Sequence, residues 1–152
     1  IGTRRSKGFE LEARGRVTDR LDVIAGLGLV DAQMTEGQYA GFTAQRIPES
    51  NASLWLNYEF IEGLSGAIGA RYTGSSFGDY AENIVVPSYT LFDLGLSADL
   101  GLLSSNLKCV KANLAVTNLT DKTYVASCVS SWDDYCWFGE GREVRFQLTY
   151  DW

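Results

Sequence analysis

Near one end of the 152-residue chain stands "CVSSWDDYCWFG", residues 128 to 139. Two of its three cysteines, Cys128 and Cys136, flank seven residues that include Trp132, Asp133, Asp134 and Tyr135, with Trp137 and Phe138 following. These residue types support several chemistries. Paired thiols could form a disulfide or a redox couple, thiolates and carboxylates together could hold a metal, and the aromatic rings could meet an apolar ligand. There is no histidine. The commonest general base and transition-metal ligand is therefore missing, which excludes Ser-His-Asp and Cys-His catalysis and His-bearing zinc sites within this chain.

Composition narrows the class further. Sixteen glycines against two prolines, with four tryptophans, eight tyrosines and seven phenylalanines, suit a β protein with many turns. A net charge of −6 without a long basic run argues against nucleic acid as a partner. No apolar run approaches the roughly 20 residues of a transmembrane helix. The opening "IGTRRSKGFELE" has neither a methionine nor the apolar stretch of a signal peptide, so the chain reads as a piece of something longer.

The elements that must position the cysteine segment follow from periodicity, which is close to two almost throughout. In "GFELEARGRV", Phe9, Leu11, Ala13, Gly15 and Val17 alternate with Glu10, Glu12, Arg14 and Arg16. Six further segments follow the same rule: from Leu21 to Leu29, Ala52 to Phe60, Leu64 to Tyr72, Phe92 to Leu100, Val110 to Val116 and Val144 to Trp152. No Asp, Glu, Lys or Arg falls on their apolar faces, whereas the opposite faces carry charge freely.

Alternation alone fits a soluble sandwich as well as a membrane barrel. Three features favour the barrel. The strands run about 9 to 12 residues, near the length that spans a bilayer at a tilt. Aromatics on the apolar face gather at strand ends, with Phe9, Tyr72 and Phe92 at one and Tyr58, Phe60, Tyr150 and Trp152 at the other. Connections alternate between the short "TDR", "IEG" and "GLLSSN" and long stretches near 31–50, 74–89 and 118–141. Short periplasmic turns and long external loops then orient the strands, placing the cysteine segment outside and Trp152 at the inner interface. Seven strands leave unpaired edges that a bilayer does not tolerate, so the whole chain, 1–152, is expected to be the C-terminal part of a larger barrel.

The sequence resembles TonB-dependent outer-membrane siderophore receptors of the ferrichrome and hydroxamate type. The resemblance rests on "SKGFELEARG" (6–15), "GARYTGSS" (69–76), "VPSYTLFDLGL" (86–96), "ANLAVTNLTDKTYVASC" (112–128) and "CWFGEGREVRFQLTYDW" (136–152), in that order. It implies an all-β, transmembrane antiparallel barrel of 22 strands, of which this segment supplies the last seven, filled by a plug domain that this segment lacks. It also implies import of a ferric siderophore across the outer membrane, not an enzyme. The partners would be the siderophore, TonB acting through the plug, outer-membrane lipid and the barrel assembly machinery, which would read the terminal aromatic Trp152. No cofactor is implied, since iron arrives as a chelate. A receptor of the same architecture for another metal chelate or a carbohydrate, or a barrel that does not transport, is the alternative.

In that setting Cys128 and Cys136 face an oxidising compartment, and a disulfide between them would close a short loop at roughly 2 to 3 kcal/mol. Trp132, Tyr135, Trp137 and Phe138 are the ligand-contact candidates, or else pack between loops or, for Trp137 and Phe138, anchor at the membrane interface. Related receptors often carry an aromatic immediately after the first cysteine, where this chain has Val129. Asp133 and Asp134 read as a hydrated loop tip. Cys109 has no assigned role, and charged residues of the polar faces, such as Arg14, Arg16, Glu59, Arg71, Glu143 and Arg145, are expected to pair with one another or with the plug.

Overall fold

The computed structural model describes residues 2–130 and 134–152. Its strands are β1 (Arg4–Thr18), β2 (Leu21–Met34), β3 (Ser50–Ile61), β4 (Leu64–Thr73), β5 (Ser76–Phe77), β6 (Val85–Val86), β7 (Tyr89–Asp99), β8 (Val110–Thr117), β9 (Val125–Val129), β10 (Tyr135–Phe138) and β11 (Glu143–Tyr150). Seven of these form one antiparallel sheet in the order β1-β2-β3-β4-β7-β8-β11. Each of its strands pairs with the next one in the chain that belongs to the sheet, so it is a meander with β1 and β11 at its edges.

Register shows why the alternation is so regular. Gly15 pairs with Val23, Val23 with Leu56, Leu56 with Ile68, Ile68 with Leu94, Leu94 with Val116 and Val116 with Val144. One transverse row thus crosses all seven strands using apolar-face residues only. Because side chains alternate sides, the neighbouring rows on that face obey the same rule. A one-residue slip anywhere would turn a strand's charged residues onto this face.

Among the described residues, the apolar face of the wall is largely uncovered by protein. Phe9, Leu11, Leu54, Ile68, Phe92, Phe146 and Leu148 are all exposed. Well-buried side chains instead gather toward the long-loop end: Ala32, Ala44, Ser76, Asp79, Val86, Leu91 and Cys128. A barrel wall has this distribution, since hydrocarbon takes one face and the lumen the other, leaving packing to the loops and to the part of the wall they rest on.

Three details differ from the sequence expectation. β1 and β2, at 15 and 14 residues, extend further toward the long-loop end than the alternation suggested. The "GLLSSN" connection is longer than a tight turn, because Asp99 and Ser104 cap two successive 3-10 turns over Leu100–Leu102 and Ser105–Leu107. The long loops also hold structure of their own, the β5–β6 and β9–β10 ribbons. Trp152 follows the last strand, fully exposed, with its ring centroid 6.4 Å from that of Tyr150.

Candidate functional site

Cys128 and Cys136 are directly opposed in the β9–β10 ribbon and joined as a disulfide, with their Cα atoms 4.1 Å apart. Residues opposed in an antiparallel pair share a face. Val129 opposes Tyr135 and Ser127 opposes Trp137, so Val129, Tyr135 and Trp137 lie on the face away from the disulfide. Tyr135 and Trp137 are each more than half exposed. A register shift follows Trp137 and sets Phe138 against Val125, at 70% exposure. The structure therefore brings Tyr135 and Trp137 together on one face of the ribbon, with Phe138 beyond the register shift. Trp132 and Asp133 lie outside the described residues. Cys109, just before β8, is exposed and carries no disulfide.

The base of the same loop is built by "TNLTDKTY". Asn118 is buried and adopts a left-handed backbone conformation, φ 49°, which Asn tolerates better than most residues. Its Nδ2 donates to the carbonyls of Lys122 at 2.9 Å and Glu140 at 3.1 Å, and its Oδ1 accepts the Lys122 N–H at 2.9 Å. Asp121, at φ 52°, accepts the Arg142 N–H at 2.9 Å through Oδ1. One amide and one carboxylate thus tie the outgoing leg of the loop to the returning one. Gly139 completes the base, because a Cβ there would fall on the ring of Tyr124.

This base is fastened to the wall. Asp93 on β7 accepts two parallel hydrogen bonds from Arg71 on β4, one of them 2.9 Å from Nη2 to Oδ1, and Oδ1 also accepts the Asn118 N–H at 3.0 Å. Arg71 and Asp93 stand on the polar face, as does Trp55, which is opposed to Gly69. Together with Leu91, Tyr124 and Glu143 they line a recess of about 400 Å³. The rings of Tyr124 and Tyr89 lie 4.2 Å apart between centroids. Burial, and then the neighbouring Tyr89, push the Tyr124 hydroxyl above its ordinary value. Aromatic faces beside a half-exposed guanidinium can hold a solute by stacking and hydrogen bonding. A second recess of about 480 Å³ lies on the same face at the short-turn end, between Arg16, Asp22, Asn57, Glu59, Asp99 and Lys111. It holds none of the loop candidates.

Sequence reading missed Trp55, Tyr89 and Tyr124. Trp55 carried a signal: it is a lone large apolar residue among Ser53, Asn57 and Glu59 on a polar face. Expected wall pairing is present at Arg71 with Asp93, at Arg16 with Asp22 (3.5 Å) and at Arg145 with Glu143 (2.9 Å).

The other long loops contribute two further carboxylates. Burial alone would raise the pKa of Asp79, but donors outweigh it: the Ile84 N–H at 2.9 Å and Asn83 Nδ2 at 3.2 Å hold the group below its ordinary 3.8. Glu82 accepts the Thr43 N–H at 2.6 Å, which lowers it from 4.5.

Residues 1–119 match the family model "TonB dependent receptor-like, beta-barrel". The chain is 40% identical over 148 residues to the ferrioxamine receptor of Yersinia enterocolitica, covering 96% of this chain and 21% of that protein. It is 38% identical over 157 residues to the ferrichrome outer membrane transporter/phage receptor of Escherichia coli (strain K12), covering 98% of this chain and 20% of that one. Among solved structures, the siderophore receptor PiuA from Acinetobacter baumannii superposes with a TM-score of 0.85 at 27% identity, over 99% of this chain and 22% of that chain. The chain spans about a fifth of the length of the curated relatives it matches.

Proposed function

This chain belongs to the TonB-dependent receptor β-barrel family, bacterial outer-membrane proteins, and from that membership we propose that it is the C-terminal wall of a receptor that imports a ferric siderophore. One observation carries the reading. A ferrioxamine receptor is 40% identical to this chain in an alignment that covers 96% of it.

In this reading the apolar face meets lipid and the polar face, with its Arg71–Asp93 pair and aromatic recess, meets the lumen. The open edges of β1 and β11 pair with the remaining strands of the barrel, and Trp152 is read during assembly. The long loops form part of the outer mouth, where Tyr135 and Trp137 offer apolar surface to a chelate. Iron comes with its ligands already in place, so a chain without histidine suffices. A plug elsewhere in the receptor, pulled by TonB, would release the chelate inward.

Growth under iron limitation tests the proposal. A strain lacking the receptor should fail to use at least one hydroxamate siderophore that its parent uses, and a plasmid copy should restore growth. Unchanged use of every hydroxamate tested would refute it.

A further inference from the structure

The three long loops are cross-braced, and the braces run in series. The β9–β10 ribbon meets segment 74–88 at Gly78: the Ser130 N–H donates to the Gly78 carbonyl at 3.3 Å, and Cys128 is buried against the same residue. A Cβ on Gly78 would lie 2.8 Å from Cβ of Cys128 and 3.0 Å from Cγ2 of Ile84, so only glycine allows this approach. Segment 74–88 is itself closed. Asp79 accepts the Ile84 N–H, the Gly78 N–H donates to the Ile84 carbonyl at 2.8 Å, and Ser76 and Phe77 pair with Val86 and Val85.

From there the bracing passes to segment 35–49. The Arg46 N–H donates to the Phe77 carbonyl at 2.7 Å, the Glu49 N–H to Ser75 at 3.3 Å, and the Thr43 N–H to Glu82. The rings of Tyr39 and Tyr80 stack with centroids 5.2 Å apart. Segment 35–49 is held in turn to the end of β2, where the Ala44 N–H donates to Ala32 at 2.7 Å and the Met34 N–H to Phe42 at 2.9 Å.

We infer that the three loops form one interlocked body with Gly78 as its joint, so that the Cys128–Cys136 disulfide restrains segment 35–49 through segment 74–88. A disulfide in a tight ribbon would ordinarily restrain only its own loop. Here its buried half is the surface against which the next loop is seated. Gly78, Asp79 and Glu82 are then positioning residues, and rearrangement of this side of the mouth moves all three loops or none. The inference holds for any chelate the receptor carries.

Hydrogen exchange by mass spectrometry on the full-length receptor in detergent tests it. Oxidised wild type, wild type reduced with a phosphine and verified by intact mass, and oxidised Gly78→Val should be compared. Reduction should speed exchange in the β9–β10 ribbon and also, about tenfold, at the amides of Thr43 and Arg46, while β3 amides keep their protection. Gly78→Val should reproduce the effect at Thr43 and Arg46 with the disulfide intact. Acceleration confined to the ribbon on reduction overturns the inference, and so does acceleration that includes β3. If Gly78→Val fails to reach the membrane, the reduction arm decides alone.

Discussion

Asp93 Oδ1 accepts the backbone N–H of Asn118 at 3.0 Å, joining a strand of the barrel wall to the first residue of the loop that carries the disulfide. The same oxygen is held by Arg71, so a single carboxylate aligns two strands and a loop base. Replacing Asp93 with Ala strands the guanidinium and leaves a buried N–H unpaired. The expected loss is about 2 to 4 kcal/mol, toward the lower end because Arg71 is half exposed and screened. The urea midpoint of the refolded receptor measures it. Arg71→Leu combined with Asp93→Leu should cost less than the two single changes summed.

Asn118 does two separable things: it adopts a left-handed conformation and its amide spans the loop base. Asn118→Gly keeps the first and loses the second, whereas Asn118→Ala loses both. Both variants should increase proteolysis within 119–141, Ala more than Gly, by about 1 kcal/mol of added strain. Equal sensitivity in the two would show that backbone conformation is irrelevant there.

The row Val23–Leu56–Ile68–Leu94–Val116–Val144 faces hydrocarbon in this account. Ile68→Arg or Leu56→Arg should destabilise the barrel by roughly 2 to 4 kcal/mol, the cost of charge at the bilayer midplane. Asn57→Arg, one row away on the opposite face and opposed to Asp22, should be tolerated. Heat-modifiable mobility on gels and unfolding in lipid vesicles compare them directly, and a reversed order would invert the assignment of faces.

How much of this was legible in the sequence follows from what each residue touches. Leu56 and Ile68 report their environment through the residues two places away, because the wall separates two different media and the period is forced on every strand. Asp93 and Arg71 were visible as polar-face residues, but their pairing spans neighbouring strands and no local spacing encodes it. The β5–β6 ribbon was invisible for a related reason: its strands have two residues each, too few for a period, and it is held by Asp79 and by Gly78 against Cys128. Trp137 and Phe138 looked equivalent as sequence neighbours, and the register shift that sets Phe138 against Val125 is encoded by no local spacing.

Loop bracing should depend on pH. The folded-state pKa values of Asp79 and Glu82 lie below their ordinary 3.8 and 4.5, so the folded loops bind fewer protons than the unfolded ones. Their contribution is complete above about pH 5 and fades as pH falls through the lowered values. Pepsin nicking of 74–88, normalised to an unfolded peptide of the same sequence, should be slow at about pH 5 and faster below about pH 3.5. Asp79→Asn should remove most of that difference, and a wild-type rate flat across the range would contradict the assignment.

Uptake of radio-iron measures most directly what passes the barrel. Cells lacking their own receptor and siderophore synthesis, supplied with the full-length protein, should accumulate iron from at least one ferric hydroxamate, and should lose that uptake when TonB is deleted. Accumulation from no hydroxamate chelate, with the receptor present and folded in the outer membrane, would contradict the account.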